Sequence, residues 1–342
     1  MADRVLVTGI SGFLGGHVAL ALLNAGYLVR GSLRDMSRAE KVRAALRRAS
    51  ASGNVEALEF VSLDLLSDAG WREAMAGCRY LQHVASPFVV EMPKDKDELI
   101  RPAVEGTRRA LTAALAEGVE RIVLTSSAAA IVYGHDPART APFTEADWSA
   151  TEGRDVTAYT ESKTRAELEA WSIMEAAGRR HDLVVVNPTF IVGPLLDDDP
   201  GTSGRLLKRL LDGSIPAAAK VYFNGVDVRD VAELQLKAME SPEAGGKRFI
   251  ASSGVMSLLE IADVLRAEFP AYARKLPRFE VPNWLVRLFA FVDPEMRGNI
   301  GSLGIVRRTD PSAGRALLGH PFIPAPDAAV AMARSLIEHH LV

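Results

Sequence analysis

Tyr159 and Lys163 are the residues of this sequence whose types and spacing most directly suggest chemistry. Four positions apart on a helix, they would lie on one face, one turn above the other. A phenol normally titrates at about 10, and a cation within roughly 4 to 6 Å lowers that pKa toward neutrality. Such a group can donate or accept a catalytic proton. Because the same pair also occurs on solvated helix faces, its interpretation depends on the rest of the chain.

A glycine-rich stretch near the start of the chain predicts a dinucleotide site. It follows a predicted strand and opens a predicted helix, with Gly9, Gly12 and Gly15 three residues apart. Gly9 would allow a tight turn, Gly12 a close approach of the backbone to a pyrophosphate, and Gly15 close packing of the helix on the strand. The helix N-terminus supplies unpaired N–H donors and a partial positive charge. The residues predicted to bind cofactor here are Thr8, Gly9, Ser11, Gly12, Phe13, Leu14 and Gly15.

The residues after the second predicted strand indicate which dinucleotide binds. Arg34 directly follows this strand and Lys41 lies in the next helix, and both suit a 2′-phosphate. The sequence therefore predicts NADP(H), although Asp35 leaves NAD open, because an acidic residue here would bind the ribose hydroxyls. Asp64, with Leu65 beside it, follows the third strand. It is interpreted either as an acceptor for the adenine amino group or as a cap of the next helical segment.

Short β-branched runs alternate with segments of helical period, which predicts an α/β fold with a Rossmann-type, doubly wound parallel sheet. The predicted strands are 4–8, 28–33, 58–63, 80–84, 121–126, 183–187 and 248–251. The predicted helices are 14–24, 38–49, 69–76, 99–117, 159–177, 204–211 and 231–239, with further helical pieces from 254 onward. We expect an NADP-binding Rossmann domain of residues 1–187 and about 220–253. Residues 188–219 and 254–342 would form a smaller, mostly helical substrate-binding lobe.

The composition excludes several classes of function. The chain of 342 residues has a net charge of −3 with interspersed signs, so neither nucleic acid nor an anionic membrane is an expected partner. Cys78 is the single cysteine, which excludes an intramolecular disulfide and a cysteine-based zinc site and fits the cytoplasm. We expect no bound metal, no secretion leader and no membrane span. The apolar segment 284–291 predicts a packed helix.

Six motifs in order along the chain resemble those of the extended short-chain dehydrogenase/reductases. Within that group the sequence is most similar to the dihydroflavonol reductase and cinnamoyl-CoA reductase branch, including its bacterial aldehyde and ketone reductases. The matching segments are Thr8-Gly9-x-x-Gly12-Phe13-Leu14-Gly15, residues 29–35, His83-Val84-Ala85-Ser86-Pro87, Thr125-Ser126-Ser127-Ala128, Tyr159-x-x-Ser162-Lys163 and residues 187–194. The agreement is looser beyond residue 195.

The resemblance implies a role for each matching residue. Ser127 would hydrogen-bond the substrate oxygen, Tyr159 would donate a proton to it, and Lys163 would hold the nicotinamide ribose and lower the pKa of the tyrosine. As hydride leaves the nicotinamide, negative charge on the carbonyl oxygen would be neutralised by Tyr159 and Ser127. The cofactor would further contact Val84, Ala85 and Ser86 after the fourth strand, and Pro188, Thr189, Ile191 and Val192 beside the nicotinamide carboxamide.

The chain departs from the family pattern at two places. Residues 102–107 lack the asparagine that supports a proton-relay water in many short-chain reductases, so relay through that residue is not expected. Val132 stands where the plant dihydroflavonol enzymes carry an asparagine that touches flavonoid hydroxyls, which favours a more apolar aldehyde or ketone. Tyr133 and Phe223 are the other candidate substrate contacts. Apolar residues of the C-terminal lobe, including Phe223, Trp284, Phe289 and Phe291, are expected to shape the site.

The leading hypothesis is an NADPH-dependent carbonyl reductase acting on a small-molecule aldehyde, ketone or alcohol. One alternative is an NAD-dependent nucleotide-sugar epimerase or dehydratase, which an acidic residue after the second strand would favour. Another is a non-catalytic NADP-binding sensor, against which the intact tyrosine and lysine argue. The resemblance also allows a homodimer formed through the helices that flank the fourth and fifth strands.

Overall fold

Seven runs of aliphatic residues form a parallel sheet in the computed structural model, which describes residues 2–51, 53–87, 95–153, 155–289 and 300–342. The strands lie in the order β3-β2-β1-β4-β5-β6-β9 and all pair in parallel. They are β1 (Arg4–Thr8), β2 (Leu28–Leu33), β3 (Glu59–Ser62), β4 (Tyr80–His83), β5 (Arg121–Thr125), β6 (Leu183–Pro188) and β9 (Arg248–Ala251). The predicted Rossmann-type sheet is confirmed.

Helices cover both faces of this sheet. They are α1 (Phe13–Asn24), α2 (Ala39–Ala49), α3 (Trp71–Met75), α4 (Asp97–Ala116), α5 (Ala158–Ala176) and α7 (Val228–Glu240). Successive strand residues point to opposite faces. Accordingly Val5 and Val7 pack with α1, α2 and α7, whereas Leu6 packs with α3, α4 and α5. Gly26, Gly118 and Gly178 follow α1, α4 and α5 with φ of 92°, 70° and 67°, as predicted for C-terminal glycines.

The remaining helices are α6 (Gly201–Asp212), α8 (Leu258–Glu268), α9 (Asn283–Phe289), α10 (Ser312–Leu318) and α11 (Ala325–Glu338). Of these, α6, α8 and α11 share a separate hydrophobic core and form a second lobe, whereas Leu318 of α10 packs in the core of the main sheet. The second lobe also has a small sheet. Its three strands are β7 (Phe190–Val192), β8 (Tyr222–Asp227) and β10 (Gly254–Ser257), in the order β10-β8-β7. The sequence predicted the helices but not this small sheet. In particular, β10 lies in a segment that was expected to be helical.

The predicted packed helix at 284–291 is only partly correct. Val286 of α9 is 2% exposed, whereas Trp284 and Leu288 are 67% and 59% exposed. Phe291 and the side chain of Phe289 lie outside the described residues. Within the described ranges, no helix is long and apolar enough to cross a membrane.

The strand order reverses between β1 and β4, and this places the candidate site. In open α/β sheets, a crevice forms at the carboxyl ends of the strands where the order reverses. Thr8 pairs with His83 at this edge, so the glycine-rich loop after β1 and residues 84–87 after β4 emerge side by side. The residues after β5 and β6 leave from the same edge.

Candidate active site

The glycine-rich loop makes a turn that side chains would obstruct. Gly9 has φ of 69°, and Gly12 N–H donates to the Gly9 carbonyl at 3.0 Å. A Cβ on Gly15 would lie 2.1 Å from that carbonyl oxygen, so the first turn of α1 rests directly on the loop. The predicted close approach at Gly15 is therefore confirmed, although its partner is the loop rather than a strand. Gly12 is the N-cap residue of α1 and provides no side-chain cap.

Of the other loop residues, Ser11 is half-buried, Phe13 packs edge-on against His17 with ring centroids 5.6 Å apart, and Leu14 is buried.

Thr8 ties the glycine loop to the segment after β4. Its hydroxyl accepts hydrogen bonds from the N–H groups of Val84 and Ala85, both at 3.0 Å. Since this oxygen already accepts two bonds, the hydroxyl donates its own proton to His83 Nδ1, 2.9 Å away. The neutral ring then carries its proton on Nε2. Desolvation lowers the pKa of His83 to about 3, and the charge of Lys163 acts in the same direction. The imidazole is therefore neutral. Ser86 follows in the same half-buried segment.

Ser127, Tyr159 and Lys163 come together at the carboxyl edge of the sheet. Ser127 begins a short 3₁₀ turn after β5, and its Oγ accepts from Ala129 N–H at 3.1 Å. The Thr157 side chain caps α5, which places Tyr159 in the first turn and its hydroxyl in a hydrogen bond with Ser127. Lys163 Nζ lies 6.0 Å from the Tyr159 ring centroid. The three predicted residues thus form one cluster.

The pKa of Tyr159 is raised, which corrects the prediction that Lys163 would lower it. Desolvation is the main cause, and the hydrogen bond with Ser127 acts against it. Desolvation also lowers the pKa of Lys163 to about 8, opposed by the carboxylate of Glu167. Burial disfavours the charged form of both groups. The spacing of the two residues along a helix does not reveal how deeply their side chains are buried.

The candidate 2′-phosphate residues differ in their surroundings. Arg34 is exposed directly after β2. Lys41 is ion-paired with Asp198, and its Nζ also lies 3.9 Å from Asp197. Asp35 accepts from Ser37 N–H at 3.0 Å and so closes the turn after β2. The acidic partners of Lys41 come from the loop after β7.

Asp64 does not cap a helix, since α3 begins later, after Gly70. Its Oδ1 accepts from Leu66 N–H at 2.9 Å, which closes a local turn, and its contact with adenine stays a prediction. Leu65 packs on α4, because a Cβ on Gly106 would lie 2.7 Å from Leu65 Cδ2.

The residues predicted to line the nicotinamide follow β6. Pro188 ends this strand, and the N–H and hydroxyl of Thr189 both bond the Ala251 carbonyl at 3.0 Å. Ile191 is half-buried and Val192 is buried in β7. The segment therefore connects the main sheet to the second lobe at the edge that carries Ser127.

A cavity of about 360 Å³ lies between the segment after Ser127 and residues 301–307. Its apolar wall includes Val132, Phe143 and Ile305. Arg307 also lines it but is bonded to Asp155 at 2.5 Å. Of the three candidate substrate residues, Val132 lines this cavity.

The other two candidate substrate residues lie elsewhere. Tyr133 is half-buried, and the guanidinium of Arg307 lies 4.4 Å from its ring centroid. Phe223 packs on Phe190, with ring centroids 4.8 Å apart, in the core of the second lobe. Neither is among the described residues that line the cavity.

Sequence reasoning missed Glu167, a fully buried carboxylate one helical turn beyond Lys163. It is ion-paired with Arg248 of β9, with Oε1 2.6 Å from Nε. The one signal in the sequence that could have identified Glu167 is its position four residues after Lys163, on the same face of the helix.

Comparison with known proteins gives a consistent set of relatives. A family model described as the NAD dependent epimerase/dehydratase family matches residues 5–251. Cinnamoyl-CoA reductase 1 of Oryza sativa subsp. japonica is 37% identical over 273 residues, which cover 78% of this chain and 76% of the relative. Tetraketide alpha-pyrone reductase 2 of Arabidopsis thaliana is 34% identical over 277 residues, covering 79% and 84%. The structure of yeast methylglyoxal/isovaleraldehyde reductase Gre2 with NADPH superposes with a TM-score of 0.80 at 25% identity, covering 98% of this chain and 99% of Gre2.

Proposed function

Because this chain belongs to the NAD dependent epimerase/dehydratase family, within the extended short-chain dehydrogenase/reductases, we propose that it is an NADPH-dependent reductase that converts an aldehyde or ketone into the alcohol. The observation that carries the proposal is the hydrogen bond between Ser127 and Tyr159, with Lys163 on the same helix. The reductases among its relatives support the same class of reaction.

The residues of the glycine-rich loop fit a dinucleotide. The first N–H groups of α1 are not capped by a side chain. Because Gly12 has no Cβ, a ligand can approach these N–H groups closely. Such a helix N-terminus favours a pyrophosphate. Arg34 is exposed directly after β2, the strand that neighbours β1, and suits a 2′-phosphate. NADPH in the similar Gre2 structure supports the assignment of this cofactor.

In the proposed reaction NADPH supplies the hydride, and the protein supplies the proton. Because the pKa of Tyr159 is raised, its hydroxyl keeps its proton at neutral pH and can donate it to the carbonyl oxygen. The hydroxyl of Ser127 orients that oxygen by a hydrogen bond. The ammonium of Lys163 binds the nicotinamide ribose and stabilises the phenolate that remains after the transfer.

The cavity beside Val132 favours a small apolar carbonyl substrate. Its volume of about 360 Å³ lies at the lower end of the range for small-molecule sites. Arg307 and Arg139, which both line the cavity, are ion-paired with Asp155 and Asp147, so neither is available as the recognition group for an acidic substrate. The wall of Val132, Phe143 and Ile305 favours an aliphatic or aromatic group beside the carbonyl.

Substituting Tyr159 by Phe tests the mechanism. We expect turnover to fall by about 10²- to 10⁴-fold, the usual contribution of a positioned acid, while NADPH binding measured by fluorescence titration is largely retained. Tyr80→Phe, at the start of β4, is the matched control and should keep its activity. Retained turnover in Tyr159→Phe would show that another group donates the proton.

A panel of aldehydes and ketones, followed by NADPH absorbance with NADH alongside, tests the substrate class. We expect apolar carbonyls to be reduced faster than acidic or sugar-nucleotide substrates, and NADPH to be preferred. Tightly bound NAD in the purified protein, with no NADPH oxidation, would contradict the proposal.

A further inference from the structure

Glu167 is the meeting point of four structural elements. Its carboxylate accepts from Arg248 Nε of β9 at 2.6 Å and from Ser126 Oγ, directly after β5, at 2.6 Å. It also accepts from Asn187 Nδ2 of β6 at 2.8 Å. Glu167 itself belongs to α5 and is fully buried. Ser126 and Asn187 lie at the carboxyl ends of β5 and β6, where the reacting groups are found, whereas Arg248 is the first residue of β9.

Stability alone does not explain a buried ion pair. Replacing such a pair with apolar residues of similar volume is often neutral or stabilising, because two charges have been removed from water. Here the pair is fully satisfied: Arg248 also donates to the carbonyls of Glu145 at 2.8 Å and Asp147 at 2.7 Å. Its guanidinium lies 3.8 Å from the ring centroid of Trp148. The geometry is therefore well determined and calls for a role in positioning.

The bonds of Glu167 reach both sides of Ser127. Ser126 precedes Ser127 directly, and Asn187 Nδ2, bonded to Glu167, also donates to the Ser127 carbonyl at 3.2 Å. Lys163 lies four residues before Glu167 on α5, and Tyr159 eight residues before it. One carboxylate thus connects the backbone at the serine to the helix that carries the tyrosine and the lysine.

We propose that Glu167, held by Arg248, is a positioning residue that fixes Ser127 and Lys163 relative to each other. Its catalytic consequence rests on the function proposed above, whereas its effect on Lys163 does not. Among the described residues, the titratable groups around Lys163 are Tyr159 and Glu167 of α5 and His83 of β4, with Arg248 beyond the carboxylate. His83 is neutral, so Glu167 is the anion that keeps the buried ammonium charged.

The first test measures Lys163 in the protein without cofactor. In protein labelled with ¹³Cε-lysine, the Lys163 resonance is assigned by its absence in Lys163→Met and is then titrated in wild type and in Glu167→Gln. Because the carboxylate raises the pKa of Lys163, its removal should move the midpoint to lower pH. An unchanged midpoint would overturn the inference, whatever the enzyme activity.

The second test separates positioning from stability. Glu167→Gln should lower kcat by about tenfold to a hundredfold, the range expected for a small misplacement of reacting groups, with a much smaller change in KM. The control is Met174→Ala, a buried position on the same helix that has no contact with the carboxylate among those described. It should lower Tm and leave kcat unchanged. If Glu167→Gln and Met174→Ala lower kcat equally for the same loss of Tm, Glu167 has only a structural role.

If Glu167→Gln does not fold, Ser126→Ala tests the positioning role separately from the charge. It removes one bond to the carboxylate and keeps the charge, so kcat should fall while the Lys163 midpoint stays in place. Unchanged kcat in Ser126→Ala would contradict the positioning role. If wild type reduces no carbonyl compound, the proposed function fails, and the titration of Lys163 still decides the inference.

Discussion

Among single residues, Thr8 shows how one hydroxyl can set the shape of the cofactor crevice. It satisfies two backbone N–H groups and the Nδ1 of His83 while fully buried. Thr8→Val keeps the shape and removes all three bonds. Leaving buried donors unpaired costs about 1–3 kcal/mol each, so we expect the free energy of unfolding to fall by about 2–5 kcal/mol in urea titrations. Thr8→Ser should restore most of it, and a neutral Thr8→Val would show that these groups find other partners.

Arg34 and Lys41 lead to a second prediction for single residues, concerning the choice of cofactor. Arg34 is exposed, whereas Lys41 must give up its ion pair with Asp198 before it can bind a phosphate. A charged hydrogen bond contributes about 1.5–3 kcal/mol, so Arg34→Ala should weaken NADPH binding by at least about tenfold and leave NADH binding nearly unchanged. Lys41→Ala should have the smaller effect in the same fluorescence titration. The reverse order would place the 2′-phosphate nearer Lys41.

The resemblance to the family predicted that Ser127 and Tyr159 meet, because Ser127 follows a strand and Tyr159 lies on the next helix, and both positions are fixed by local sequence. It did not predict the pKa of Tyr159, which depends on burial by residues distant in the chain. Glu167 was missed for the same reason. Its partners Arg248, Asn187 and Ser126 are up to 81 residues away, and an acidic residue on a helix is ordinarily solvated.

At the scale of structural elements, Gly12 and Gly15 in the turn between β1 and α1 have different roles, one in cofactor binding and the other in packing. A Cβ at Gly15 would lie 2.1 Å from a backbone oxygen, whereas a Cβ at Gly12 would meet its nearest atom at 3.4 Å. Gly15→Ala should therefore destabilise the fold by about 1–3 kcal/mol, as overpacking does. Gly12→Ala should change stability by no more than about 1 kcal/mol yet weaken NADPH binding. Equal destabilisation by both variants in urea titrations would contradict this division.

The elements themselves were predicted unequally. Most strands of the main sheet are largely buried and rich in aliphatic residues, and three of them, β1, β2 and β9, have the predicted bounds. The strands of the second lobe were missed. β7 has three residues between Pro188 and Gly193, too few to show a period of two, and β8 gains its pairing only from β7 and β10, which are distant in sequence.

At the scale of the whole molecule, the two lobes are joined through a histidine that makes stability depend on pH. His17 of α1 donates from Nε2 to the Pro194 carbonyl, 2.9 Å away in the loop after β7. Desolvation lowers its pKa from 6.5 to about 4. The unfolded chain therefore binds more protons between these values, and the contribution of His17 to stability is complete above pH 6.5 and is lost as pH falls toward 4.

This linkage can be measured against a matched variant. His17→Gln can still donate to Pro194 but does not titrate. Between pH 7 and pH 5 a histidine shifted this far should reduce the free energy of unfolding by about 2 kcal/mol. Urea titrations of wild type should therefore lose about 2 kcal/mol more over this interval than those of His17→Gln, while His83 and the carboxylates contribute to both curves. Parallel curves would mean that His17 is protonated in the folded protein, and that the contact between α1 and the loop after β7 does not exclude its charge.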